Sequence, residues 1–174
     1  MTTPVRIDPA ELMLGAVDTC LGLAATWYAW DGRPRVSEPA DDLPGGTVFT
    51  PHKAIRRIAD HLVDHLAELE ALLAGAESIP DTWHGRTVTL AADWAPFTEA
   101  DLNEARNRLG RLGQLYALRL RSLDDETLDA PRGQAWTIRQ IVEHVAHVTW
   151  YAEQVGRLRA PGVEVQPAPS ESAG

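Results

Sequence analysis

Two histidines four residues apart, His61 and His65, carry the most specific chemistry in this sequence. On a helix that spacing sets them on neighbouring turns of one face, with Cβ atoms about 5–6 Å apart. Two imidazoles so placed can converge on one cation. A third histidine, His144, recurs within a repeated pattern: IRRIADH (55–61) and IRQIVEH (138–144) share Ile, Arg, Ile and His at one offset, and Asp60 is matched by Glu143. A duplicated helix pair would place the two histidine-bearing helices in corresponding positions. Three histidines on a divalent metal leave a coordination position open, as a catalytic centre requires for water or a substrate thiolate.

Helical geometry tests which histidines border the core. At about 100° per residue, His65 lies roughly 60° from the centre of its apolar stripe and His61 roughly 100°. His144 lies roughly 95° from the stripe of its own helix, with His147 nearly opposite that stripe. His61, His65 and His144 are therefore the expected ligands. Border positions suit a site opening at one end of a bundle, and they equally suit ordinary surface histidines. Glu143 and His147 form a carboxylate–imidazole pair at i,i+4, an alternative ligand pair that the face argument disfavours. His52, beside Pro51, and His84, in the WHGR segment, read as structural or exposed. Trp27, Trp136 and Trp150 read as core and rim packing, and Cys20 as a small buried hydrophobe. The chain has no Gly-rich phosphate loop, G-x-S-x-G elbow or CxxC pair, so nucleotide and serine-hydrolase chemistry have no warrant.

The elements that must position these residues read as helices. Asp8-Pro9 is a cap followed by a proline at the first helical position. Leu12, Ala16, Cys20, Leu23 and Trp27 then predict an amphipathic helix to about Trp30. A Pro/Gly/acid-rich loop follows over 31–49. Thr50-Pro51 starts a second helix striped by Ile55, Ile58, Leu62, Leu66, Leu69 and Leu73, which fades at Gly75. Residues 76–97 form another long connection, in which Thr87 to Leu90 is an extended piece too short for a sheet. Thr98 with Asp101 resembles a capping box. The third helix runs to about Ser122 through Leu102, Ala105, Leu109, Leu112 and Tyr116, with Gly110 and Gly113 available for a close helix approach. Trp136-Thr137 starts the fourth, with Ile138, Ile141, Val142, Val145, Thr149 and Ala152 on one side.

The expected fold is all-α: a four-helix bundle of two helix pairs joined by a long crossover. It occupies one domain over residues 1–160, with a disordered Pro/Ser/Ala-rich tail over 161–174. A chain of 174 residues is long enough for one core without staples. The net charge is −9, and Lys53 is the single lysine among scattered arginines. Neither a nucleic-acid surface nor attachment to an anionic membrane is expected. No apolar run is expected to approach the roughly 20 residues that span a bilayer. With no signal-peptide core at the N-terminus and one cysteine, a cytoplasmic location is expected.

At WTIRQIVEHVAH (136–147) the sequence resembles the metal-binding helix of the DinB-like superfamily, where a tryptophan opening a helix precedes a histidine by eight residues. That superfamily includes metal-dependent hydrolases and mycothiol- or bacillithiol-dependent enzymes. The resemblance covers the four-helix layout over about residues 8–160, and specific residues around 55–65 and 136–147. It implies a Zn, Ni or Fe site of three histidines, a mycothiol-type thiol cofactor, a small-molecule substrate and a homodimer. Many members take one histidine from helix 2 and an HxxxH pair from helix 4. Here the arrangement is mirrored, with His61 and His65 on helix 2 and His144 on helix 4. Other members use a Glu-x-x-x-His pair, and in that variant the set becomes His61, Glu143 and His147. The expected function is a metal-dependent, thiol-using transferase, isomerase or hydrolase. The alternative is a non-catalytic bundle that binds a small molecule or a protein and whose metal site has decayed.

Overall fold

The structure, a computed structural model, describes residues 7–39, 45–80 and 85–158. It is mostly helical, with one short two-stranded sheet. The expected tail and His84 lie outside the described residues.

Helix α1 spans Pro9–Ala24, α2 Pro51–Leu73 and α3 Glu99–Arg121. Each begins where capping chemistry places it. Asp8 accepts from the Ala10 amide, and Thr50 from the Lys53 amide. Thr98 and Asp101 form the reciprocal box, each side chain accepting from the other's backbone N–H. These caps satisfy amides that have no partner inside the helix. A short helix, α4, follows over Asp125–Asp129, capped by Asp124. The chain then forms α5 over Ile138–Ala146 and α6 over Thr149–Val155.

Two helices differ from the sequence expectation. The first stops at Ala24 and resumes as a single 3₁₀ turn, Trp27–Ala29. There the Thr26 hydroxyl donates to the Leu23 carbonyl at 2.8 Å, while the fully buried Trp27 donates from Nε1 to Gly156 O at 2.8 Å. The fourth helix is two helices. Across the joint, the amides of His147, Val148, Trp150 and Tyr151 each bond the carbonyl three residues back. Each such step turns the chain by about 120° instead of about 100°. The phase of α6 is thereby shifted, and Tyr151 comes round to face α2.

The loop over 31–49 also carries more order than its composition predicts. Arg35–Val36 (β1) and Val48–Phe49 (β2) pair antiparallel, with Arg35 opposite Phe49. Thr87 to Leu90 forms no strand. The pairing closes the loop's ends and inserts Phe49, which is fully buried, against Trp150 and Tyr151.

Helix α1 packs on α3, α5 and α6, and α2 packs on α3, α5 and α6. One core results, centred on Met13, Trp27, Ile58, Leu62, Leu109, Tyr116, Val142 and Val145. Tyr116 reaches across it and donates to the Leu62 carbonyl at 2.8 Å. Gly113 lets α1 and α3 approach: a Cβ there would stand 3.2 Å from Val17 Cγ2, whereas Gly110 faces open space. Contrary to the expectation that no apolar run approaches a spanning length, Pro9–Ala29 is long and apolar enough to cross a membrane by length and composition. Its apolar face is spent inside this core, through Ala10, Met13, Val17, Cys20, Ala24 and Trp27.

Candidate metal centre

His61 and His65 project from the middle of α2, and His144 from the last turn of α5. One ligand atom from each comes within 4.8 Å of the others, and all three side chains are half-buried. The ring centroids are 4.6 Å apart for His61–His65, 5.2 Å for His61–His144 and 5.1 Å for His65–His144. Tetrahedral nitrogens bound at about 2.0–2.1 Å stand about 3.3 Å apart. Ligation would thus require the ligand atoms to close from at most 4.8 Å to that distance.

The protonation pattern suits ligation. His65 Nδ1 lies 2.7 Å from Glu68 Oε2. A carboxylate oxygen accepts, so Nδ1 carries the proton, and in the neutral ring Nε2 keeps its lone pair. A carboxylate behind an imidazole is the usual outer partner of a metal-binding histidine. His144 is shifted toward the neutral form, chiefly by burial and then by the positive potential of His65 and His147. A neutral imidazole is the ligating form.

The surroundings are aromatic. Trp136 lies 5.0 Å from His144 between centroids and is 51% exposed, forming one wall at the surface. It is held there by a tight turn at Gly133, which has a φ of 65°, and by Arg132, whose Nη1 donates to the Trp136 carbonyl at 2.9 Å. Tyr151 packs on the other side, 5.8 Å from His61.

The structure brings His61, His65 and His144 together, and leaves Glu143 and His147 exposed outside the group. His147 ends α5 as its C-terminal cap. His52 is a packing residue: its Nε2 lies 3.3 Å from the Pro96 carbonyl and its ring stands against Phe97. Cys20 is fully buried, which raises its thiol to about 12 and keeps it protonated. Glu68, Tyr151 and the contact of Trp136 with His144 were not anticipated from the sequence. Glu68 had a readable signal, its i,i+3 spacing from His65. The other two depend on how α5 and α6 meet α2.

The repeated arginines also correspond. Arg56 bonds both Asp93 carboxylate oxygens, through Nε at 3.2 Å and Nη2 at 2.6 Å. Arg139 bonds both Asp129 oxygens in the same way, at 2.8 and 3.3 Å. Asp129 lies on α4, which precedes α5, whereas Asp93 lies on a 3₁₀ turn, Ala91–Trp94, that follows α2 in the chain. The two histidine-bearing helices are thus each tethered by an arginine–carboxylate fork, whose bidentate geometry fixes orientation as well as position.

Comparison of the chain with protein-family models, with curated proteins and with solved structures finds no match.

Proposed function

We propose that this chain is a metal-dependent enzyme acting on a small molecule, built as a DinB-like four-helix bundle of two helix pairs. His61, His65 and His144 hold a divalent Zn, Ni or Fe ion. The observation that carries the reading is their convergence from two helices, with ligand atoms within 4.8 Å and a carboxylate bonded behind His65. A bound divalent ion would supply Lewis acidity, lowering the pKa of a coordinated water or of a mycothiol-type thiol. Within that scheme, Glu68 fixes the His65 tautomer, and Trp136 and Tyr151 limit access of water to the centre. Transferase, isomerase and hydrolase reactions all use a nucleophile so activated. A cytoplasmic homodimer completes the proposal, and light scattering on the purified chain tests its oligomeric part.

Elemental analysis of untagged protein tests the central claim. About one equivalent of Zn, Ni or Fe is expected, falling with His61→Ala or His144→Ala. Less than about a tenth of an equivalent, even after reconstitution with each ion, overturns it and favours a binding module without a metal.

A further inference from the structure

A strip along α2 carries Lys53, Arg57, His61 and His65, each four residues after the one before and about 40° further round the axis. At about 1.5 Å of rise per residue, neighbours in this series are about 6 Å apart along the axis. Two cations therefore lie one and two turns beyond the histidine group. Both are buried, Lys53 at 0% and Arg57 at 5% exposure.

Tyr151 joins the two halves of the stripe. Its ring lies 5.8 Å from His61, and the Arg57 guanidinium lies 5.5 Å from its centroid. Phe49 extends the aromatic floor, 6.1 Å from Tyr151, with Lys53 Nζ 5.2 Å from its centre. Such faces attract cations but do not neutralise them.

Among the described residues, the carboxylates bonded to these cations are too few to do so. Asp93 is committed to Arg56 through both oxygens. Asp60 reaches only Arg57 Nη1, at 3.3 Å. Arg57 Nε is buried and has no hydrogen-bond partner among the described residues. Among the described residues, Lys53, Arg56 and Arg57 thus share two acids, and Lys53 donates to a neutral group, the Thr89 hydroxyl, at 2.9 Å. Burial, and then the charge of Arg56, lower Lys53 to about 8. Buried positive charge in excess of its partners is costly, and a ligand anion removes that cost. Nε lies on the edge of the guanidinium that grips a carboxylate side-on while Asp60 keeps Nη1.

We propose that the substrate is a small carboxylate, held by Arg57 Nε and the Lys53 potential while its reactive group reaches the histidine centre about one helical turn away. The reactive end rests on the metal reading above; the anion site does not.

The experiment uses cobalt(II)-loaded protein and follows its visible absorption during titration with glutarate, a dianion, or pentanoate, the matched monoanion. Glutarate is expected to bind at least about 10-fold more tightly, the worth of one charge-assisted hydrogen bond. Arg57→Gln is expected to abolish the difference while leaving cobalt affinity unchanged. Lys53→Met, which keeps the packing against Phe49, is expected to reduce it. Equal affinities in the unmodified chain, or a difference that survives both substitutions, overturn the proposal. If no cobalt binds, the metal reading fails, and the anion site is read from thermal unfolding of the metal-free chain. A rise with glutarate over sodium chloride of equal ionic strength, lost in Arg57→Gln, supports it; no rise overturns it.

Discussion

His65 donates from Nδ1 to Glu68 Oε2 across 2.7 Å, one turn further along α2. This bond decides which nitrogen of His65 is left to bind a metal. Glu68→Ala is expected to weaken metal binding about 10–100-fold, the usual effect of losing an outer carboxylate. Competition titration against a chromophoric chelator measures it. Unchanged affinity would mean that His65 is oriented by packing alone or is not a ligand.

His144 and His147 lie one turn apart, and only His144 joins the group. His144→Ala is expected to remove the bound metal, while His147→Ala retains it within about a factor of two, as for a surface change away from the site. Metal content after dialysis distinguishes the two. The reverse pattern, with loss in Glu143→Ala as well, would establish the other ligand set.

Lys53 imposes a pH dependence on stability. Its folded-state value is lowered from 10.5 to about 8, chiefly by burial. Between those values the unfolded chain binds more protons than the folded one, so this residue's contribution makes stability rise as pH climbs through that interval. Below about 8 its cost is fully present. Urea unfolding of the wild type and Lys53→Met should therefore show their difference shifting in favour of the wild type from about pH 7 to about pH 10. A difference independent of pH would contradict this account.

Two glycines three residues apart on α3 should respond in opposite directions. Gly110 faces open space, so Gly110→Ala is expected to stabilise by about 0.5–1 kcal/mol through helix propensity. Gly113 faces Val17, whose Cγ2 would lie 3.2 Å from an added Cβ. Gly113→Leu is expected to cost about 1–3 kcal/mol by forcing α1 and α3 apart. Chemical denaturation reads both, and a stable Gly113→Leu would mean that the helices separate at little cost.

Much of the local structure was legible because local rules govern it. The caps at Asp8, Thr50 and Thr98 follow from backbone amides that need partners, and all three start helices. The pairing of His61 with His65 follows from helical rise and turn, which no tertiary contact need supply. The break between α5 and α6 is not legible in the sequence, because apolar spacing does not distinguish a regular helix from one tightened over a single turn. The close approach at Gly113, and not at Gly110, was likewise undecided, since either glycine suits a helix crossing.

What the sequence by itself determined is where the three long helices start and the strip of α2 that carries Lys53, Arg57, His61 and His65, because capping and spacing along one helix are matters of local geometry. Helical phase already favoured His144 over His147; only the tertiary structure decided that His144 reaches the α2 pair and that Tyr151 bridges His61 and Arg57. Those contacts depend on the tightened turn between α5 and α6 and on the packing of both helices against α2. A rotation of some tens of degrees accumulated over a few residues is invisible to local pattern, yet it selects which side chains share a site.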